Sequence, residues 1–113
     1  MHSAAKRKTI ELVFDDDCPH VEAARRLLRS VLDEAHLPRV WLEWSRQNPD
    51  TPDPLLDFGS PTILIDGIDV ASPEFEASAT VDTRRCRIYA DADGRLGTVP
   101  PRRDVMEALV GRT

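Results

Sequence analysis

The stretch that decides the fold is IELVFDDDCPHV, residues Ile10 to Val21. Ile10, Leu12 and Phe14, together with Val13, form a short and mostly apolar run that Asp15, Asp16 and Asp17 bring to an end. Such a run reads as a central strand buried on both faces. Cys18 follows at once, in Asp17-Cys18-Pro19-His20-Val21, at the junction with a helical pattern. Apolar side chains then recur at three- and four-residue spacing (Val21, Ala24, Leu27, Leu28, Val31, Leu32, Ala35). They make one stripe of a helix about four turns long. Pro19, with its fixed φ and no N–H, suits the first helical position. Arg25, Arg26 and Arg29 fall away from the stripe, with Glu22 four residues from Arg26 and Asp33 four from Arg29, the spacing of helical ion pairs. His36-Leu37-Pro38 ends the helix, because the residue before a proline avoids the helical region.

Outward from this unit the elements alternate in type. Val40, Leu42 and Trp44 alternate with Trp41 and Glu43, which predicts a second strand with one wetter face. Pro49, Pro52 and Pro54 leave room for at most one or two helical turns, Pro54 to Asp57, with Asp53 as the cap. Gly59-Ser60-Pro61-Thr62 opens a second apolar run, and Thr62-Ile63-Leu64-Ile65 predicts a strand. Asp66-Gly67 predicts a tight hairpin turn into a short partner, Ile68-Asp69-Val70. Ala71 to Arg85 is polar and irregular, with no more than a turn of helix near Pro73–Ala77. Cys86-Arg87-Ile88-Tyr89 reads as a further strand, ended by Asp91-Ala92-Asp93-Gly94. Pro100-Pro101 launches a last helix with the stripe Val105, Met106, Leu109 and Val110, stopped at Gly111. The order is β-α-β-(short α)-β-β-(β)-α, and a β-α-β start with one crossover helix gives two parallel strands.

At 113 residues the chain has the length of one domain. We expect a flexible tail over residues 1–8 and a single domain over 9–113. With 41% hydrophobic and 31% charged residues the composition is that of an ordinary globular protein. A net charge of -5 argues against nucleic acid as a partner, since counterion release needs clustered Lys and Arg. Arg84, Arg85, Arg87, Arg102 and Arg103 read as solvated faces. The apolar stretch after the basic start is five residues long, neither a signal-peptide core nor a membrane span. No membrane partner is expected, the expected compartment is the cytoplasm, and the oligomeric state is open. Two cysteines do not build a disulfide-dense scaffold.

The Cys-Pro step after the first strand, the Gly-Ser-Pro-Thr, the Asp-Gly hairpin, the Cys-Arg-x-Tyr and the Pro-initiated final helix together resemble the thioredoxin-like superfamily, over roughly Thr9 to Gly111. Within it the chain looks most similar to small bacterial thioredoxin- or glutaredoxin-like proteins, some labelled alkylmercury-lyase-like. The resemblance implies an α/β fold: a four-stranded mixed sheet in the order 2-1-3-4, with room for an extra short strand. Helices flank that sheet, the second of them shortened. It also implies roles for particular residues. Cys18 matches the nucleophilic cysteine of the Cys-x-x-Cys motif, and Pro19 and His20 match the dipeptide between its cysteines. Val21 stands where the second cysteine of that motif would be. Pro61 matches the superfamily's cis-proline, and Ser60 the residue whose backbone pairs with a bound substrate strand.

The chemistry rests on Cys18. At a strand-to-helix junction, backbone N–H groups and the helix dipole favour a thiolate, as would a cationic His20. Asp15, Asp16 and Asp17 act the other way, so sequence alone does not sign the balance. The plain alternative is a small, partly buried, inert cysteine. Cys86 offers a second thiol, on a strand face shared with Arg84 and Ile88, while Arg85, Arg87 and Tyr89 share the opposite face. Three readings are open. In the first, Cys18 of a monothiol redox protein forms a mixed disulfide with a protein or low-molecular-weight partner, and an external thiol or Cys86 resolves it, without a cofactor. In the second, both sulfurs handle mercury or an organomercurial. In the third, the fold is a non-catalytic module whose Ser60-Pro61 groove grips an extended peptide. Trp41 and Trp44 read as packing residues, and Asp15–Asp17 as a solvated strand end, with no metal site.

Overall fold

The computed structural model describes residues 8–71, 87–91 and 93–111. Along the chain these form β1 (Ile10–Phe14), α1 (Val21–Glu34), β2 (Leu42–Ser45), a short 3-10 helix (Asp53–Asp57), β3 (Thr62–Ile65), β4 (Ile68–Asp69), β5 (Tyr89–Ala90), β6 (Leu96–Gly97) and α2 (Arg102–Val110). The main sheet has four strands in the order β2-β1-β3-β4. β1 and β2 are parallel, with Leu12 beside Glu43, whereas β1–β3 and β3–β4 are antiparallel. The fold is thus α/β, with the expected strand order. The extra strand after Arg87 does not join this sheet; β5 and β6 form a separate two-stranded ribbon.

Hydrophobic burial places β1 and β3 at the centre. Ile10, Leu12, Ile63 and Ile65 pack in one cluster with Val21, Ala24, Leu28, Val31 and Leu32 of α1 and Val105 and Leu109 of α2. Each fully buried Leu, Val or Ile contributes roughly 1.5–3 kcal/mol. Val13, Thr62 and Leu64 alternate with these residues and are buried as well, so both faces of the central strands are covered, as a continuous apolar run requires.

The edge strand β2 reverses the expected alternation. Val40 and Leu42 are exposed, while Trp41 packs against the core. The parallel register explains this. Glu43 lies beside Leu12 on the helix-covered side, where Arg25 of α1 binds its carboxylate through two hydrogen bonds of 2.9 Å. The charges on α1 also regroup. Glu22 pairs with Arg25 and Arg29, and Asp33 with Arg39, in place of Glu22–Arg26 and Asp33–Arg29.

Three local signals read from sequence operate as chemistry demands. After α1, His36 adopts φ 60°. Its N–H reaches Asp33 O at 3.1 Å and that of Leu37 reaches Leu32 O at 2.9 Å, the paired bonds of a Schellman ending. Asp66 and Gly67, at φ 55° and 82°, make the type I′ turn that a two-residue hairpin favours. α2 begins after Pro101 and ends at Gly111, with Val105 and Leu109 inward; Val110 of the expected stripe is exposed. In the Pro-rich connection Asp53 lies inside the 3-10 helix instead of capping it, and Pro52 precedes it without a side-chain cap. Among the described residues no helix is long and apolar enough to cross a membrane. Cys86, Arg84, Arg85 and the Pro73–Ala77 segment lie outside the described residues.

Candidate functional site

The C-terminal end of β1 is where chain segments converge. The first is the turn that carries Cys18, whose N–H donates to Asp15 O at 3.0 Å. Pro19 is exposed and does not open the helix. α1 starts at Val21 with His20 at the N-cap position, its side chain making no capping bond, and the His20 carbonyl accepts from Ala24 N–H at 3.2 Å. Helix ends shift by a residue or two against sequence signals, and here Pro19 and His20 lie in a turn of their own between the Asp15–Cys18 turn and the helix. Cys18 therefore sits at the mouth of α1, but at 9% exposure it belongs to the rim of the core. The residue is buried, in place of the open thiol expected of a redox cysteine.

The second segment approaches β3. The β1–β3 register places Val13 beside Thr62, so the antiparallel pairing carries Asp15 towards Ser60. Ser60 is fully buried, and its Oγ accepts from Asp15 N–H at 2.9 Å. The Ser60–Pro61 peptide bond is cis. Thr62 Oγ1 donates to Gly59 O at 2.8 Å and closes the turn. Cys18 and Ser60-Pro61 thus share one end of the central strands, joined through Asp15.

The third segment carries an ion pair that the sequence reading missed. Asp15 is not a solvated strand end. Its carboxylate accepts from Arg46 Nε at 2.7 Å, from Arg46 Nη2 at 3.1 Å and from Gln47 Nε2 at 3.1 Å. The side chains of Arg46 and Asp15 are only 8% and 9% exposed. Arg46 Nη1 spans on to Leu56 O at 3.1 Å and Phe58 O at 2.8 Å. One guanidinium therefore ties the ends of β1 and β2 to the loop that enters Gly59-Ser60-Pro61. The signal was present in the pairing itself: Phe14 lies beside Ser45 in the parallel register, so the next residues in line are Asp15 and Arg46.

The fourth segment is Arg87–Tyr89. Arg87 N–H donates to Ser60 O at 2.7 Å, and its Nη1 donates to Thr62 Oγ1 at 2.9 Å and Asp69 Oδ2 at 2.7 Å. The guanidinium carbon stands 4.6 Å from the centroid of the Tyr89 ring, a cation–π distance that agrees with the shared strand face expected of the two residues. Tyr89 is buried, and its hydroxyl donates to Pro61 O. Burial raises the phenol pKa well above its usual value; Arg87 opposes this, and the nearby Asp69 and Cys18 act in the same sense as burial.

Of the residues expected at a site, the structure brings Cys18, Ser60 and Pro61 to one end of the sheet, with Pro19 and His20 in the turn beside Cys18. Cys86 lies outside the described residues. Among the described residues no group of three or more His, Cys, Asp or Glu side chains is placed to hold a metal ion. Compared with known proteins, the chain matches no family model, no curated protein and no solved structure.

Proposed function

We propose that this chain is a thioredoxin-like, single-cysteine thiol–disulfide redox protein that acts through Cys18. The observation that carries the reading is the position of Cys18. It sits after the central strand, at the mouth of α1, and at the same sheet end as the Ser60-Pro61 bend. Further support comes from the arrangement of a parallel β1-α1-β2 unit, an antiparallel β3-β4 hairpin and a closing α2, which is the order the thioredoxin-like resemblance implies. The buried Asp15–Arg46 pair holds both halves of this site in register.

The chemistry is an exchange of sulfur–sulfur bonds. The Cys18 thiolate attacks one sulfur of a disulfide RSSR; a Cys18–S–R bond forms, the S–S bond breaks, and RS⁻ leaves and takes a proton from water. Cys86 then attacks the Cys18 sulfur, closing an internal disulfide and expelling a second RS⁻, or an external thiolate R′S⁻ attacks the R sulfur, forming RSSR′ and expelling the Cys18 thiolate. Electrons move only between sulfur atoms, so no cofactor enters.

Intact-mass analysis of the folded protein after incubation with a small disulfide tests the reading. We expect one adduct, mapped to Cys18, that is absent in Cys18→Ser. If Cys86 resolves the adduct, Cys86→Ser lets it accumulate. A folded protein that takes up no adduct at Cys18 even as Cys86→Ser overturns the proposal.

A further inference from the structure

We infer that the disulfide partner of Cys18 is a low-molecular-weight one, because this chain's own Arg87–Tyr89 segment occupies the backbone edge that an extended polypeptide would need. The inference rests on the redox reading of Cys18 and narrows its substrate class.

Strand addition works by backbone pairing: an incoming segment needs open carbonyl and N–H groups at the edge it joins. At Gly59-Ser60-Pro61 the carbonyls are already taken. Gly59 O accepts from Thr62 Oγ1 at 2.8 Å, Ser60 O from Arg87 N–H at 2.7 Å, and Pro61 O from the Tyr89 hydroxyl. Ser60 is itself β-bridged and fully buried. Side-chain bonds lock the occupying segment in place. Arg87 spans Thr62 on β3 and Asp69 on β4, and stacks on Tyr89. A polypeptide could pair with Ser60 only after this segment had left, exposing a buried tyrosine and breaking the Arg87–Asp69 ion pair. The burial of Cys18 points the same way. At 9% exposure the residue admits a slender disulfide more readily than a folded surface. A small disulfide needs only the sulfur and makes no demand on the occupied edge.

The test uses the full chain, with a small dialkyl disulfide and a disulfide-bonded unfolded polypeptide as competing probes. The readout is the rate of adduct formation at Cys18, followed by peptide mapping. We expect the small probe to react faster by about tenfold or more, since a polypeptide seats only after the bonds from Arg87 N–H to Ser60 O and from the Tyr89 hydroxyl to Pro61 O are broken. Arg87→Pro removes the N–H bound to Ser60 O and the guanidinium latch, and should narrow the ratio. Should that variant fail to fold, Tyr89→Phe, which frees the Pro61 carbonyl, takes its place with the same expectation. A polypeptide probe that reacts as fast as the small one in the unaltered protein overturns the inference and leaves the redox reading standing. A ratio unmoved by opening the edge also overturns it. Absence of reaction with either probe removes both the inference and the reading beneath it.

Discussion

Replacing Arg46 with Met tests the part of the structure that positions the site. The substitution keeps most of the aliphatic volume and removes the guanidinium. It leaves the Asp15 carboxylate buried with only Gln47 as a side-chain partner, and it frees Leu56 O and Phe58 O. Breaking a buried ion pair by removing one partner costs about 3–5 kcal/mol, against a total of about 5–15 kcal/mol for a domain. With an unfolding entropy of about 2.1 cal/mol/K per residue, a 113-residue chain loses about 12–20 °C of Tm for that cost. The double variant Asp15→Val/Arg46→Met leaves no unpaired charge, so it should be less destabilised than the sum of the single variants by about 2 kcal/mol or more. Urea titration followed by tryptophan fluorescence and far-ultraviolet circular dichroism gives all four stabilities. A loss below about 1 kcal/mol for Arg46→Met, the range of a solvent-screened surface pair, refutes the buried-pair argument.

Other outcomes follow from particular groups. Tyr89 is the only tyrosine of the chain, so phenolate absorbance reports it alone. Its pKa is raised on folding, so stability is full below about pH 10, where the unfolded phenol begins to ionise, and falls as pH rises above it by at most about 1.4 kcal/mol per pH unit. Phenolate should therefore appear together with unfolding, and a native-state titration near pH 10 contradicts this. The Glu43 carboxyl is held below the usual carboxylate range chiefly by its hydrogen bonds to Arg25. Arg25→Met should move its titration upward by NMR, and should weaken the fall in stability that accompanies acidification through the folded pKa. Gly67→Ala meets no atom within 4 Å but keeps φ 82°, so urea titration should show a purely conformational loss of about 1–2 kcal/mol. His36→Gly relieves the same left-handed strain at the end of α1 and should raise stability by up to about 1 kcal/mol, read from the shift in Tm.

How far the fold was legible in sequence depends on what each residue reports. The run Ile10–Phe14 and the α1 stripe carry their own periodicity, and the Asp66-Gly67 pair carries its own turn geometry, so these elements emerge from local signals, whereas the sheet order was an implication of the resemblance. β2 misleads because Val40, Leu42 and Trp44 look like an inward face, whereas the register beside Leu12 is settled by β1 and by Arg25 reaching Glu43. Pro19 misleads because a favourable first helical position does not exclude a turn, and Pro19 and His20 form one before α1 starts at Val21. The site was legible only in its sulfur and its proline bend. The roles of Arg46 and Arg87 depend on partners 31 residues away at Asp15 and 18 away at Asp69, and arginine carries no local mark of being buried. Tyr89 looked like strand filling until Pro61 O gave its hydroxyl a partner.

On the redox reading, Cys18 reacts from the folded state at the mouth of α1. Native-state alkylation of Cys18 in a Cys86→Ser background, measured alongside the destabilised Gly67→Ala form of the same protein, tests it most directly. The account expects the same labelling rate in both proteins, well above the rate that global unfolding permits. Labelling that rises in proportion to the loss of stability would mean that the sulfur is reached only when the chain unfolds, and would contradict the account.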